Sequence, residues 1–295
     1  MLALSSLALA LSLASAVSYS ASDYFRKAVP ASCSAPLLLF LMVAGQIPIL
    51  GAWLIIVGDF HLSEAYLVPG LSVAVIGFAA NTLFILAVRR SPLSLMIPML
   101  GLIPALTTLF SGLLIDEWPE THQIVGISLV SLGLLLLFAP AGSAFSLVEM
   151  LANLRREPGV KPMAGVVILW SIAPPIDKAC VEHSSVGMHG LIQLTLIATA
   201  AAVWVAWRGG VHAFAIPRMS ARPIVGAVLS SGLAYAFQLA AYQTTLVAVV
   251  ELIKRTVGIL GSLVLGRTMF NEPATPVKIM GMIIMVVGLP LVILS

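Results

Sequence analysis

Ten apolar stretches of roughly twenty residues divide this chain almost end to end. They lie at 2–24, 35–57, 66–88, 91–114, 121–140, 163–182, 186–207, 222–244, 246–269 and 274–294. In helical form, about 20 apolar residues cross the ~30 Å hydrocarbon layer of a bilayer. A closed barrel, the other way to span one, needs apolar and polar residues in alternation, and these stretches are continuously apolar. Composition agrees: 60% of the 295 residues are hydrophobic, 9% are charged, and the mean hydropathy is +1.09. That is more apolar surface than a water-soluble core hides. The predicted fold class is an all-α integral membrane protein with the lipid bilayer as its solvent.

The chain also repeats itself. Glu117, Gly126 and Gly133 recur at the same spacings, nine and seven, as Glu272, Gly281 and Gly288. A looser echo links Phe25-Arg26-Lys27-Ala28-Val29 to Ile176-Asp177-Lys178-Ala179-Cys180. Each half holds five apolar stretches, and an odd number of crossings forces the second copy into the bilayer upside down. The predicted architecture is two inverted five-helix repeats, 1–152 and 163–295, joined by a linker at 153–162 that carries Arg155-Arg156 and Pro158-Gly159. Ala14-Ser15-Ala16 resembles a signal-peptide cleavage site, but no Lys or Arg precedes it, so 2–24 reads as the first crossing. Cys33 and Cys180 form no metal-ligand or redox pattern.

Most connections are only a few residues long, which leaves no room for a soluble catalytic domain. The net charge of +3 is spread over the loops, as membrane topology signals are, and nucleic-acid binding is not expected. Twelve of the fifteen Lys and Arg fall in odd-numbered connections, and only Lys178 is assigned to an even one. By the positive-inside rule this puts the odd connections in the cytoplasm and both termini outside.

Several polar groups interrupt the apolar stretches. Glu251, Lys254 and Arg255 lie within the ninth, where each unpaired charge costs about 2.5–3.5 kcal/mol at mid-helix. Spacings of three and four place both cations beside Glu251, and Gly258, Ser262 and Gly266 continue that face. Two cations against one acid leave a surplus positive charge, which favours an anionic or zwitterionic ligand. In the sixth stretch Pro174-Pro175 precedes Asp177-Lys178, so two missing amide donors are expected to bend or break the helix beside the charges. Pro48, beside Gln46, and Pro104 are expected to act similarly. Ser5, Ser12, Ser15, Tyr19, Ser22 and Arg26 form a hydroxyl stripe on the first helix leading to Asp23 and Lys27. The eighth presents Ser231, Tyr235, Gln238 and Tyr242 on one side. Such stripes either pack helices or bind a polar solute. His189 and Gln193, four apart, read as a packing pair. Glu117 and Glu272, each followed closely by a proline, read as helix-end carboxylates held by the free amides and dipole of a helix N-terminus. No nucleophile with a base, phosphate loop or metal-ligand spacing appears, so neither an enzyme nor a cofactor is expected.

Pro104, Glu117, Gly126 and Gly133, with Glu251 through Arg255 and then Glu272, Gly281 and Gly288, resemble the repeat units of the EamA family in the drug/metabolite transporter superfamily. Ile259 stands where that family often has proline. The resemblance covers essentially the whole chain. It implies ten helices in two inverted repeats around a central cavity, alternating access, and a small metabolite as substrate. It also implies cytoplasmic termini, against the loop-charge tally. The connection at 58–65 departs from the family by carrying Asp59 and Glu64 with no Lys or Arg.

The expected function is secondary-active transport of a small polar solute across the cell (inner) membrane, with a proton or counter-solute as coupling partner. Asp23, Lys27, Asp177, Lys178, Glu251, Lys254 and Arg255 form the charged lining, and Tyr235, Gln238 and Tyr242 grip the uncharged part. The rival readings are an exporter of drugs or hydrophobic cations and a structural membrane protein with a packed core. The first calls for a buried acid without basic neighbours, the second for salt bridges closed on themselves.

Overall fold

The computed structural model describes residues 5–27, 29, 33–91, 96–137, 157–209, 221–270 and 276–293; within these, some side chains are not described, among them those of Asp23, Lys27 and residues 259–270. The described residues form ten α-helices, each set close to one of the predicted apolar stretches: α1 (Ser6–Lys27), α2 (Ala35–Val57), α3 (Leu67–Arg90), α4 (Ile103–Ile115), α5 (Thr121–Leu137), α6 (Val160–Glu182), α7 (Val186–Gly209), α8 (Ala221–Tyr242), α9 (Val247–Phe270) and α10 (Pro276–Ile293). Segments of five are long and apolar enough to cross a membrane: Pro36–Val57, Glu64–Phe84, Val160–Glu182, Val186–Arg208 and Ala221–Tyr242.

Local chemistry sets the helix ends. At the start of α2 the Ser34 hydroxyl accepts the Leu37 amide at 3.4 Å, and Gly58 closes the helix in the left-handed region at φ 71°. The fourth stretch departs from expectation: residues Ile97–Leu102 form a 3-10 helix, and α-helix runs on from Ile103. Pro104 therefore sits in the first turn of α4, where its missing amide breaks no helical hydrogen bond, and makes no mid-helix kink. Prolines 174 and 175 do not break α6, which is continuous from Val160 to Glu182. Pro48 likewise lies within an unbroken α2.

The chain forms two compact units, each drawing on both halves of the sequence. The first comprises Ala79–Pro175 and Leu246–Ser295, the second Ser5–Phe78 and Ile176–Thr245. In the first unit the repeated glycines face one another in antiparallel order, Gly126 of α5 against Gly288 of α10 and Gly133 against Gly281. A Cβ at Gly126 would lie 2.7 Å from the Gly288 carbonyl oxygen, and one at Gly133 would lie 2.6 Å from that of Gly281. Backbone meets backbone at both points, so neither position admits a side chain. The same unit has an apolar core of Ala87, Met96, Leu100, Ile103, Met163, Val166 and Val167.

In the second unit α1 packs on α8 and α2 on α7 and α8. Val43, Leu50, Leu194, Ala198 and Ala236 form its core, with Trp53 and Tyr235 against them. The connection after α2 pairs with the one after α6: Leu62 and Ser184 form an antiparallel bridge, and the Ser63 amide donates to the His183 carbonyl at 2.9 Å. The Ser185 hydroxyl donates to the Asp59 carbonyl at 2.6 Å.

Candidate functional site

In the first unit, the charged groups follow from how α9 begins. Its opening amide, Val247 N–H, donates to Glu117 Oε2 at 3.1 Å. Glu117 stands just beyond α4, where Asp116 takes up the left-handed conformation at φ 54° and the Glu117 amide returns to the Ser111 carbonyl at 3.2 Å. The carboxylate thus meets a helix N-terminus, that of α9 rather than the adjacent α5. Glu272 lies outside the described residues. One turn into α9, Glu251 is buried and its Oε1 accepts from Lys254 Nζ. Arg255 takes a different neighbour: its guanidinium lies 6.0 Å from the centre of the Trp170 ring, which in turn stacks on Phe84 at 5.2 Å. Both cations were expected beside Glu251, but the indole of α6 offers the guanidinium a cation–π partner. Arg255 Nε is buried with no acceptor among the described residues. Arg255 thus holds a donor in reserve, beside the ammonium of Lys254.

In the second unit, adjacent residues on α6 turn to different partners. Asp177 Oδ1 lies 3.0 Å from His189 Nε2, while Lys178 Nζ donates to the Thr245 carbonyl at 3.0 Å. Lys178 is buried within α6 and belongs to no connection, so it says nothing about orientation. The other imidazole nitrogen, His189 Nδ1, is 2.9 Å from the Tyr66 hydroxyl. Gln193 donates to that hydroxyl at 3.2 Å and to the Gly70 carbonyl at 2.8 Å. His189 and Gln193 are therefore not a private packing pair: with Asp177 and Tyr66 they make a polar chain linking three helical elements. Tyr66 had no sequence signal, because it sits singly at the head of an apolar stretch. The spacing of His189 and Gln193 was visible, but their common partner was not.

The hydroxyl stripes have mixed fates. Ser15 and Ser22 donate to the Ala234 and Ala227 carbonyls of α8 at 2.9 and 3.3 Å, which makes this part of α1 a packing face. The side chains of Asp23 and Lys27 lie outside those described. On α8, Gln238 donates to the Tyr242 hydroxyl at 2.7 Å, both residues being buried, and Tyr235 packs into the apolar core. Gln46 donates to the Met42 carbonyl of its own helix at 2.9 Å. A cavity of about 120 Å³ lies at the end of α2, lined by Trp53, Asp59, Ser185 and Gln243 among others. None of the predicted site residues lines it.

Residues 6–139 match the model of the EamA-like transporter family. That family lies within the drug/metabolite transporter superfamily. Members of the family are multi-pass membrane transporters, in keeping with the apolar helices described above. No curated protein matches the chain. A solved structure described as "Crystal structure of protein" aligns over 96% of this chain and 95% of its own length, at 16% identity, with a TM-score of 0.73. At that identity the likeness is one of fold. It extends across the second half, beyond the EamA-matched segment.

Proposed function

We propose that this EamA-like protein is a secondary-active transporter of a small polar solute, anionic or zwitterionic, in a cell membrane. Its ten helices cross the bilayer as two inverted five-helix repeats, and the repeats rock about a central cavity to expose it to one side and then the other. The observation that carries this reading is the charged run of α9. A buried acid, an ammonium and a guanidinium with an unused donor stand in a helix otherwise apolar enough for lipid. Charges at such depth are retained where they face protein or water and serve a pathway. Glu251 neutralises one cation, which leaves Arg255 to attract a carboxylate or phosphate oxygen. The antiparallel meeting of the repeated glycines supports inversion, since a sequence motif that pairs with its own copy head to tail is what a two-fold axis in the membrane plane generates.

In the same reading Asp177, Lys178, Tyr235, Gln238 and Tyr242, with Asp23 and Lys27, serve solute passage. The hydrogen bond between Gln238 and Tyr242 must then exchange for one to the solute during the cycle.

The test is uptake into vesicles containing the purified protein, using a panel of radiolabelled amino acids, organic anions and sugar phosphates. At least one solute should enter faster than into empty vesicles, and Arg255→Leu should cut the difference at least about tenfold while the protein remains folded. Equal uptake by wild type and Arg255→Leu excludes Arg255 from the site. If no solute on the panel moves but a hydrophobic cation does, the exporter reading takes its place.

A further inference from the structure

A buried hydroxyl on a helix commonly turns to the carbonyl one turn back, as Thr108 does to Pro104 at 2.9 Å and Ser171 to Val167 at 2.6 Å. Thr107 and Ser111 of α4 and Thr256 of α9 do not. They are 0%, 0% and 2% exposed, and their side-chain oxygens have no hydrogen-bond partner among the described residues. A hydroxyl kept for packing alone gains nothing over a methyl in the same place, and left unpaired it costs stability.

These hydroxyls lie along the charged run. α4 packs on α9, and Thr107 and Ser111 belong to the buried face of α4, with Ile103, Pro104, Thr108 and Gly112. The Val247 amide at the head of α9 is bound by Glu117, just past the end of α4, so the two helices leave one junction side by side and run antiparallel. At 1.5 Å per residue, Glu251, Ser111 and Arg255 lie roughly 6, 9 and 12 Å from that junction, and Thr256 and Thr107 roughly 14 and 15 Å. The hydroxyls therefore bracket the level of Arg255, whose Nε is the buried donor without an acceptor. Nε and the neighbouring Nη form the side edge of the guanidinium, which meets a carboxylate with two parallel N–H bonds.

From this we infer that the solute of the α9 site is a polyhydroxy monocarboxylate, a sugar acid, with its carboxylate on the Arg255 edge and its hydroxyls on Thr107, Ser111 and Thr256. This names the substrate class of the transport reading above and rests on it. Charge narrows the choice. With Glu251 bound to Lys254, the run carries one net positive charge. A carboxylate cancels that charge, a zwitterion leaves it standing, and a phosphate monoester, at about −1.5 to −2, overshoots it. An ammonium group would also meet Lys254 and Arg255 with the acid of the run already engaged. Hydroxyls complete the match, because a solute hydroxyl, like that of Ser or Thr, both gives and accepts a hydrogen bond. An apolar solute would leave all three protein hydroxyls buried and unpaired, and is rejected for that reason. Entry of the solute requires a conformation in which this face of α4 opens to water, as alternating access supplies.

The experiment measures binding of radiolabelled D-gluconate to the full-length protein in lipid nanodiscs, with hexanoate, sorbitol and glucose 6-phosphate as competitors. Gluconate should bind saturably. Each competitor should bind at least about tenfold more weakly, since it lacks the hydroxyls, the carboxylate or the single charge. Thr107→Val should weaken gluconate binding about fivefold, and Thr107→Ser should restore it. In the ligand-free protein, Thr107→Val should melt no lower than wild type, because a methyl replaces an unsatisfied polar group, whereas loss of a structural hydroxyl would lower the melt. Should Thr107→Val not fold, Ser111→Ala carries the same two expectations. Gluconate bound no better than hexanoate overturns the sugar-acid class, and Arg255-dependent uptake of another panel solute then leaves transport standing. Gluconate bound with the expected preference, by a protein that moves neither it nor any panel solute, supports the site and overturns transport. Unchanged gluconate affinity, or a lowered ligand-free melt, in the hydroxyl variants overturns the part given to the hydroxyls.

Discussion

On α9, Glu251 finds its cation one turn along the same helix, whereas Asp177 of α6 finds its partner on another helix, in the fully buried ring of His189. The first pair can form before any helices dock. The second exists only once α6, α7 and the head of α3 have come together, and removing one member strands the other in a dry place. Pairing within a helix makes charge tolerable in the bilayer while leaving it available to a ligand. Pairing between helices commits the charge to the assembly. The α9 variants should therefore fail mainly in flux, and variants of Asp177 and His189 first in stability.

The largest expected effect is at Asp177. Asp177→Leu leaves His189 without its acid and should destabilise the protein by about 3–5 kcal/mol, the scale for breaking a buried pair, read as loss of folded protein in a thermal melt. Glu251→Leu should lower the melting point less, and equal losses would break the comparison. Next comes Arg255→Leu, which should slow solute flux about tenfold to a hundredfold, equivalent to one charge-assisted contact of about 1.5–3 kcal/mol, with a melt close to that of wild type. Gly126→Ala, remote from both charged clusters, should destabilise by about 1–3 kcal/mol, because the new methyl meets the Gly288 backbone. Combining it with Gly288→Ala should give less than the sum of the two single effects, since the residues share one crossing. The smallest effect is at Ser15→Ala, about 0.6 kcal/mol, for losing one interhelical hydrogen bond to Ala234.

Element positions were legible because hydropathy and length decide them: lipid demands continuous apolar helix, and all ten described helices lie on stretches chosen by that rule. Irregular backbone was less legible. The 3-10 turn at Ile97–Leu102 and the unbroken course of α6 through Pro174 and Pro175 depend on packing that no local pattern records. The spacing of Glu251 and Lys254 predicted their contact, since neighbours three apart share a helix face. Arg255 satisfied the same rule and still turned to Trp170, because the choice among partners lies with another helix. The polar chain through Tyr66, His189 and Gln193 was hidden for the same reason, as its members meet across more than a hundred residues of sequence. The repeated glycines were visible as a motif, and the structure supplies their reason, a backbone contact that admits no Cβ.

Whether the α9 stripe faces water is the most direct question to put to this account. Arg255→Cys and, as a control, Leu252→Cys, whose native side chain is fully buried, would each be made in protein with Cys33 and Cys180 replaced by alanine. Both would be treated in sealed vesicles with a membrane-impermeant thiol reagent. Such reagents attack the thiolate, which forms only where water reaches the sulfur. Modification at position 255 should be at least about tenfold faster than at 252. Equal, slow modification at both positions from either side of the membrane would mean that the middle of α9 is dry, and the transport route does not run along it.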